Sequence, residues 1–136
     1  GKKYLKFGYG FGGPCLPRDN RAFAAYAKSL GVEYNLGSTT DSFNDAHNKF
    51  LLDYVITKNH TSLPFYFDYV SYKKGTDILT ESQQFKLCRS LLDEGYTVYI
   101  NDNETILNRV KDTLYDQYYD RVKFGEPKEK VFKVDI

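Results

Sequence analysis

Tryptophan and methionine are absent from this chain of 136 residues, and cysteine and histidine each occur only twice. Cys15 and Cys88 form no repeated pattern, so there is no disulfide framework, and a reduced, cytoplasmic protein is expected. His47 and His60 have no further Cys or His partner, which argues against a zinc site; no metal is expected. Neither sign of charge dominates: 19 basic and 18 acidic residues leave a net charge of +1. Without a basic face, duplex nucleic acid is not an expected partner. The apolar runs fall far short of a bilayer span, so no membrane partner is expected either. No leader of charged, apolar and small residues opens the chain, which predicts no secretion signal. In that setting the triplets Asn59-His60-Thr61 and Asn103-Glu104-Thr105 are chance matches to the glycosylation pattern. No repeat or low-complexity segment is found. The length suits one domain, or one domain plus part of another. Lys2 to Lys6 run almost directly into a glycine loop, which predicts a piece of something longer.

Hydrophobic residues make up 41% of the chain, enough for a packed core. Aromatic character rests on 13 Tyr and 10 Phe, read mainly as half-buried structural residues. Residues 4–17 read as a loop. Asp19-Asn20 can cap a helix over about 21–30, with Ala22, Phe23, Ala25, Tyr26 and Ala27 as its apolar stripe and Gly31 as its end. Ser38, Thr39, Thr40 and Asp41 offer caps for a longer helix over 40–58, where Phe43, Ala46, Phe50, Leu51, Tyr54 and Val55 recur at helical steps. Residues 59–64 read as a break. Beyond it the pattern alternates: a strand over 65–72, a helix over 81–94, a strand over 97–100, a helix over 104–119 and a strand over 121–124, with a last strand over 131–134. That alternation predicts a parallel α/β sheet. The expected fold class is therefore α/β: an N-terminal helical segment, residues 1–60, followed by a small Rossmann-like parallel α/β domain, residues 61–136.

The densest chemistry lies in Gly8-Tyr9-Gly10-Phe11-Gly12-Gly13-Pro14-Cys15-Leu16-Pro17-Arg18-Asp19. Glycines allow close backbone approach to a ligand and positive φ. The order is not that of a phosphate-binding P-loop, because no Gly-Lys-Ser/Thr follows. Cys15 stands just ahead of a helix, with Lys6 and Arg18 at hand. Thiols at helix N-termini near cations ionise more readily, and an accessible thiolate is the raw material of covalent catalysis. A small hydrophobe packed under the loop is the other reading of the same residue. Cys88, spaced with Phe85, Leu91 and Leu92, is expected in the core. Tyr115, Tyr118 and Tyr119 at helical spacing are expected to pack. Lys73-Lys74 after a strand points to an anion site.

Tyr4-Leu5-Lys6 and the run from Gly8 to Asp19 closely resemble the active-site signature of nucleotide-sugar dehydrogenases, the family of UDP-glucose 6-dehydrogenase and its GDP-mannose and UDP-N-acetylmannosamine relatives. Tyr72-Lys73-Lys74-Gly75-Thr76-Asp77 and Glu81-Ser82 are similar to the family's second signature. The resemblance covers about residues 4–110. It implies oxidation of a sugar's primary alcohol to a carboxylate by two hydride transfers to NAD, through a cysteine thiohemiacetal and thioester. By position, Cys15 would be the nucleophile, and Asp19 would organise water or a proton transfer. Tyr4, Lys6, Gly12, Gly13 and Lys73 would hold the nucleotide-sugar, and Arg18 would contact the cofactor. Asn44 would be a structural or a binding residue, the structural role being the one favoured. The resemblance also implies a homodimer through helix 40–58.

The chain departs from the pattern at four residues and in one missing turn. Arg18 stands where the family prefers Lys, and the two cations are not interchangeable at a tight site. Ile78 and Thr80 replace an Asp and a substrate-contacting Arg. Tyr69 replaces a small glycine at the first strand. No Gly-X-Gly-X-X-Gly turn after a strand is present, so NAD is expected to be held mainly by a domain outside this chain. The chain alone is therefore expected not to turn over. The alternative reading is a degenerate, non-catalytic nucleotide-sugar-binding or dimerisation module.

Overall fold

The computed structural model describes residues 7–33 and 35–136; Tyr4 and Lys6, expected to hold substrate, lie outside them. The elements are α1 (Leu16–Ser29), α2 (Leu36–Lys58), β1 (Phe65–Phe67), α3 (Gln83–Asp93), β2 (Val98–Ile100), α4 (Glu104–Tyr118), β3 (Val122–Phe124) and β4 (Phe132–Lys133). The expected α/β class and its helical beginning hold. All strand pairings are parallel, in the order β3-β2-β1-β4. The chain reverses its direction of travel across the sheet between β3 and β4. The crevice outside the carboxyl ends of β1 and β4 is therefore where such sheets offer ligand sites.

Several boundaries differ from expectation for local reasons. α1 starts five residues early, at Leu16 rather than 21, and its cap is Cys15, not Asp19 or Asn20. Pro17 lies in the first turn, where a missing N–H costs nothing. Asp19 instead lies inside that turn, where a carboxylate complements the helix dipole. α2 also starts early, because Asn35 is extended and its side-chain oxygen accepts the Ser38 N–H at 3.0 Å. β1 is three residues long, not eight. The chain leaves the sheet after Phe67, and the Val70 and Ser71 amides turn to the Asp102 carboxylate instead of a ladder partner.

One core joins the helices and the sheet. It contains Leu51 and Val55 of α2, Leu87, Cys88, Leu91 and Leu92 of α3, Ile106, Val110 and Leu114 of α4, and the inward residues of β1 to β3. Phe65, Phe67, Val98, Ile100 and Val122 are buried, while Tyr66, Tyr99 and Lys123 between them are not, so one sheet face carries the core. Cys88 is fully buried, as expected.

The N-terminal helices behave otherwise. In α1 only Pro17 and Ala27 are buried, and Phe23 and Tyr26 of its expected apolar stripe are exposed. The two helices approach through small residues. A Cβ on Gly37 would stand 2.5 Å from the Asn20 carbonyl oxygen of α1. On α2 the buried line is Gly37, Asn44, Asn48, Leu51 and Val55, whereas Phe43, Phe50 and Tyr54 are exposed. Of the three tyrosines expected to pack on α4 and after it, Tyr118 does, and Tyr115 and Tyr119 are exposed. The buried Tyr118 donates to Asp93.

Candidate active site

The glycine run is built into the fold by its neighbours on both sides. From α2, the buried Asn44 clamps Phe11: its Oδ1 accepts the Phe11 N–H at 3.0 Å, and its Nδ2 donates to the Phe11 carbonyl at 2.8 Å. Losing such a partner leaves two half-buried main-chain groups unpaired, at about 1–3 kcal/mol each. A turn further along, His47 Nε2 donates to the Gly8 carbonyl at 2.7 Å. A side chain at position 10 would overlap the Asn44 amide, which is why that residue is glycine.

The other side of the loop rests on the segment between β1 and α3. A Cβ on Gly12 would overlap the Glu81 carbonyl oxygen. Gly13 has φ +83°, and a Cβ there would stand 2.7 Å from the Tyr72 ring. The Gly13 N–H donates to the Thr80 carbonyl at 3.1 Å. The Gly13 backbone, expected to hold substrate together with that of Gly12, has its N–H engaged within the fold. The two motifs quoted separately from the sequence, around Cys15 and around Lys73, meet here. Lys73 follows the tyrosine that covers Gly13, and it is exposed.

Cys15 comes after this fixed loop. It is exposed, it precedes α1, and its side chain makes no capping hydrogen bond. The sulfur thus stands at the start of a helix with its thiol uncommitted to the cap. Arg18 and Asp19 are exposed in the first turn and pair with each other at 2.9 Å. Arg18, expected at the cofactor, thus has a carboxylate partner beside it. An exposed pair of this kind contributes little and is readily given up.

An ion-pair network braces the arrangement. Arg21 of α1 reaches Asp41 of α2 at 3.0 Å and Glu81 at 2.7 Å, and Glu81 also takes Lys86 of α3 at 2.9 Å. These residues are too far apart in sequence for any local pattern to reveal them. Glu81 has φ +52°, a left-handed conformation that disfavours residues with a side chain. Hydrogen bonds from Arg21, then Lys86, hold its carboxyl down at about 2. A group depressed in the folded state stabilises above its unfolded value and loses that contribution as pH falls towards the folded one. Glu81→Gln should therefore destabilise by about 1 kcal/mol at neutral pH, the upper end for exposed pairs. In urea titrations its midpoint should converge with that of the parent between pH 4.5 and about 2. A constant gap over that range would show that the charge is not what matters.

The crevice at β1 and β4 is occupied by the protein's own side chains. Asp68 pairs with Lys74 and with Lys133 of β4, each at 3.1 Å. Tyr9 from the glycine loop is partly buried, and burial, with Tyr69, Asp68 and Asp135 nearby, raises its hydroxyl above the ordinary range. A hollow of about 330 Å³ on the far side of the loop is lined by Phe7 to Phe11 together with Thr40, Phe43, Asn44 and His47. Among the described residues no group of three His, Cys, Asp or Glu could hold a metal. No described helix is long and apolar enough to cross a membrane.

Comparison with known proteins bears on this constellation. Residues 1–46 match the family model described as the UDP-glucose/GDP-mannose dehydrogenase family, central domain. GDP-mannose 6-dehydrogenase of Pseudomonas aeruginosa is 34% identical over 108 residues, 79% of this chain and 24% of that protein. A UDP-glucose 6-dehydrogenase of Haloferax volcanii is 30% identical over 107 residues, 72% of this chain and 23% of its own. The crystal structure of a ternary complex of GDP-mannose dehydrogenase from Pseudomonas aeruginosa superposes with a TM-score of 0.73 at 27% identity, over 92% of this chain and 30% of that one. This chain is a partial member of the UDP-glucose/GDP-mannose dehydrogenase family. It spans about a quarter of the length of the curated relatives it matches. Within the family match fall the glycine loop, Cys15, Arg18, Asp19 and Asn44. The contacts of that loop with Tyr72, Thr80 and Glu81 run to a segment beyond the matched residues.

Proposed function

We propose that this chain is the C-terminal portion of an NAD-dependent nucleotide-sugar 6-dehydrogenase. Residues 1–60 are read as the end of its central helical domain, and residues 61–136 as its nucleotide-sugar-binding domain. The observation that carries the reading is the exposed Cys15 thiol at the start of α1, directly after a glycine loop pinned to the segment that bears Lys73.

Cys15 is the nucleophile. Its sulfur adds to the aldehyde carbon of a partly oxidised sugar, and the carbonyl oxygen receives the proton. At the end of the sequence water attacks the thioester carbonyl, the C–S bond breaks, and a carboxylate and the free thiol result. Asp19, released from its exposed pair with Arg18, orients that water. Lys73 supplies positive charge to the diphosphate, with Tyr4, Lys6 and the backbone of Gly12 and Gly13 completing the sugar site.

The described residues do not fit a dinucleotide. No described strand leads through a Gly-X-Gly-X-X-Gly turn into a helix, and the first turn after β1 is closed by Asp102. The oxidation between the two sulfur steps is thus assigned to residues outside this chain, which by itself does not turn over. Homodimerisation through 40–58 is supported by the exposed Phe43, Phe50 and Tyr54, with the half-buried His47 stacked on Phe50 and Phe50 on Tyr54. A cytoplasmic setting fits the two unpaired cysteines.

The test is calorimetric titration of the chain with GDP-mannose and UDP-glucose. Saturable heat with one of them is expected, at an affinity of roughly 1 µM to 1 mM. Absence of heat with both, and no rise in melting temperature, would defeat the proposal.

A second reading, a binding module without catalysis, is favoured by Ile78 and Thr80. Both retain main-chain roles, accepting the N–H groups of Tyr72 and Gly13, while the acidic and basic side chains of the family are gone. A full-length parent that binds nucleotide-sugar yet oxidises none would select it.

A further inference from the structure

Two successive main-chain amides converge on one oxygen just past the carboxyl end of β1. The Val70 N–H donates to Asp102 Oδ2 at 2.9 Å and the Ser71 N–H to the same oxygen at 2.8 Å. Consecutive N–H groups aimed at one point form an anion-binding concavity. Its place, the first turn after the first strand, is where mononucleotide-binding sheets hold phosphate. Here the anion comes from the chain itself, from the turn that follows β2. In dinucleotide-binding sheets an acidic residue at that position faces a ribose hydroxyl. In this chain it faces inward, and Asp102 Oδ1 accepts the Asn103 N–H at 2.8 Å.

The same turn holds the rest of the loop. Asn103 Nδ2 donates to the Thr76 carbonyl at 3.3 Å, and Arg109 of α4 donates to the Asp77 carbonyl at 3.0 Å. The loop bearing Lys73 is therefore gripped at 70, 71, 76 and 77 from one side. Charge-assisted hydrogen bonds of the Asp102 kind are roughly twice as strong as neutral ones.

We propose that Asp102 fills, from within the chain, a phosphate-type anion site at the Val70 and Ser71 amides, so that this turn rejects a ligand phosphate and the Lys73 loop is held in one position. Asp102 is a positioning and specificity-determining residue. The anion site itself stands independently of the nucleotide-sugar proposal; only the consequence for Lys73 rests on that reading.

The test uses the whole chain labelled with nitrogen-15 and inorganic phosphate as the probe. In the parent the Val70 and Ser71 amide resonances should not move as phosphate is added. In Asp102→Ala the same two should shift saturably, because the vacated amides accept the free anion. Shifts in the parent, or none in a folded Asp102→Ala, would overturn the proposal. Asp102→Asn keeps an acceptor oxygen and tests it without emptying the site. Exchange of these two amides with solvent should quicken about tenfold, and unchanged exchange would refute the charge-assisted hold. Since phosphate is the probe, failure here is separate from failure of the calorimetric test above.

Discussion

Iodoacetamide at neutral pH will modify Cys15 about a thousandfold faster, or more, than Cys88. The two thiols differ in every respect that governs alkylation. Cys15 is exposed before α1 and needs no conformational change to be reached. Cys88 is fully buried on α3 among Leu87, Leu91 and Leu92, and desolvation raises its thiol above the ordinary range. The reactive species is the thiolate, so burial disfavours attack twice, through access and through ionisation. Reagent reaches Cys88 only when the core opens, and core segments open at free energies approaching the global stability. An opening cost of about 4 kcal/mol already lowers the accessible population nearly a thousandfold. Peptide mapping after timed alkylation measures both rates in one sample, and Cys15→Ser provides the slow rate alone. Comparable rates at the two positions would mean that the Cys15 sulfur is shielded and would remove the basis for its nucleophilic role.

Gly12→Ala is expected to destabilise the protein by about 2–4 kcal/mol, combining overpacking of about 1–3 kcal/mol with loss of a neighbouring hydrogen bond. The added methyl group would meet the Glu81 carbonyl oxygen and carbon and the Ser82 Cα, all main-chain atoms. None of them can yield cheaply. Arg21 and Lys86 hold the Glu81 side chain, and Ser82 caps α3 by accepting the Phe85 N–H at 3.2 Å. The loop must lift instead, which breaks the Gly13 to Thr80 hydrogen bond and loads the Asn44 clamp. Gly75→Ala is the control. That residue has φ +82° but nothing within 4 Å of a Cβ, so only the backbone penalty of about 1–2 kcal/mol applies. Equilibrium urea unfolding of both variants checks the ordering. A Gly12→Ala protein as stable as the parent would mean that the loop is not docked on the Glu81 segment. Cys15 alkylation in the same variant reports whether the loop's displacement reaches the sulfur.

Residue order in this chain was sufficient for whatever depends on near neighbours. The strand–helix alternation, the core position of Cys88 and the left-handed helix end at Gly31 were all legible, because periodicity and turn chemistry act over a few residues. The glycine run and the thiol are contiguous, so Cys15 stood out as a candidate, but its exposure was decided by the fold. Helix starts were less legible. Several Ser, Thr, Asp and Asn residues could each cap, and only the folded chain selects Asn35 for α2 and leaves Cys15 before α1.

The tertiary structure decided what the glycines are for. A glycine run is equally suited to admitting a ligand or a neighbouring segment, and the difference lies in atoms contributed by Asn44, Tyr72 and Glu81, which are remote in sequence. It also decided that the aromatic residues of α2 would remain outside while Asn44 and Asn48 went in: a helical stripe shows which residues share a face, not which face finds a partner. The short β1 and the inward Asp102 belong here too, because a carboxylate can satisfy two main-chain donors only once the fold has brought it within hydrogen-bond reach. Local chemistry is written in residue order, whereas the choice among equally suitable partners depends on distances that exist only after the chain has folded.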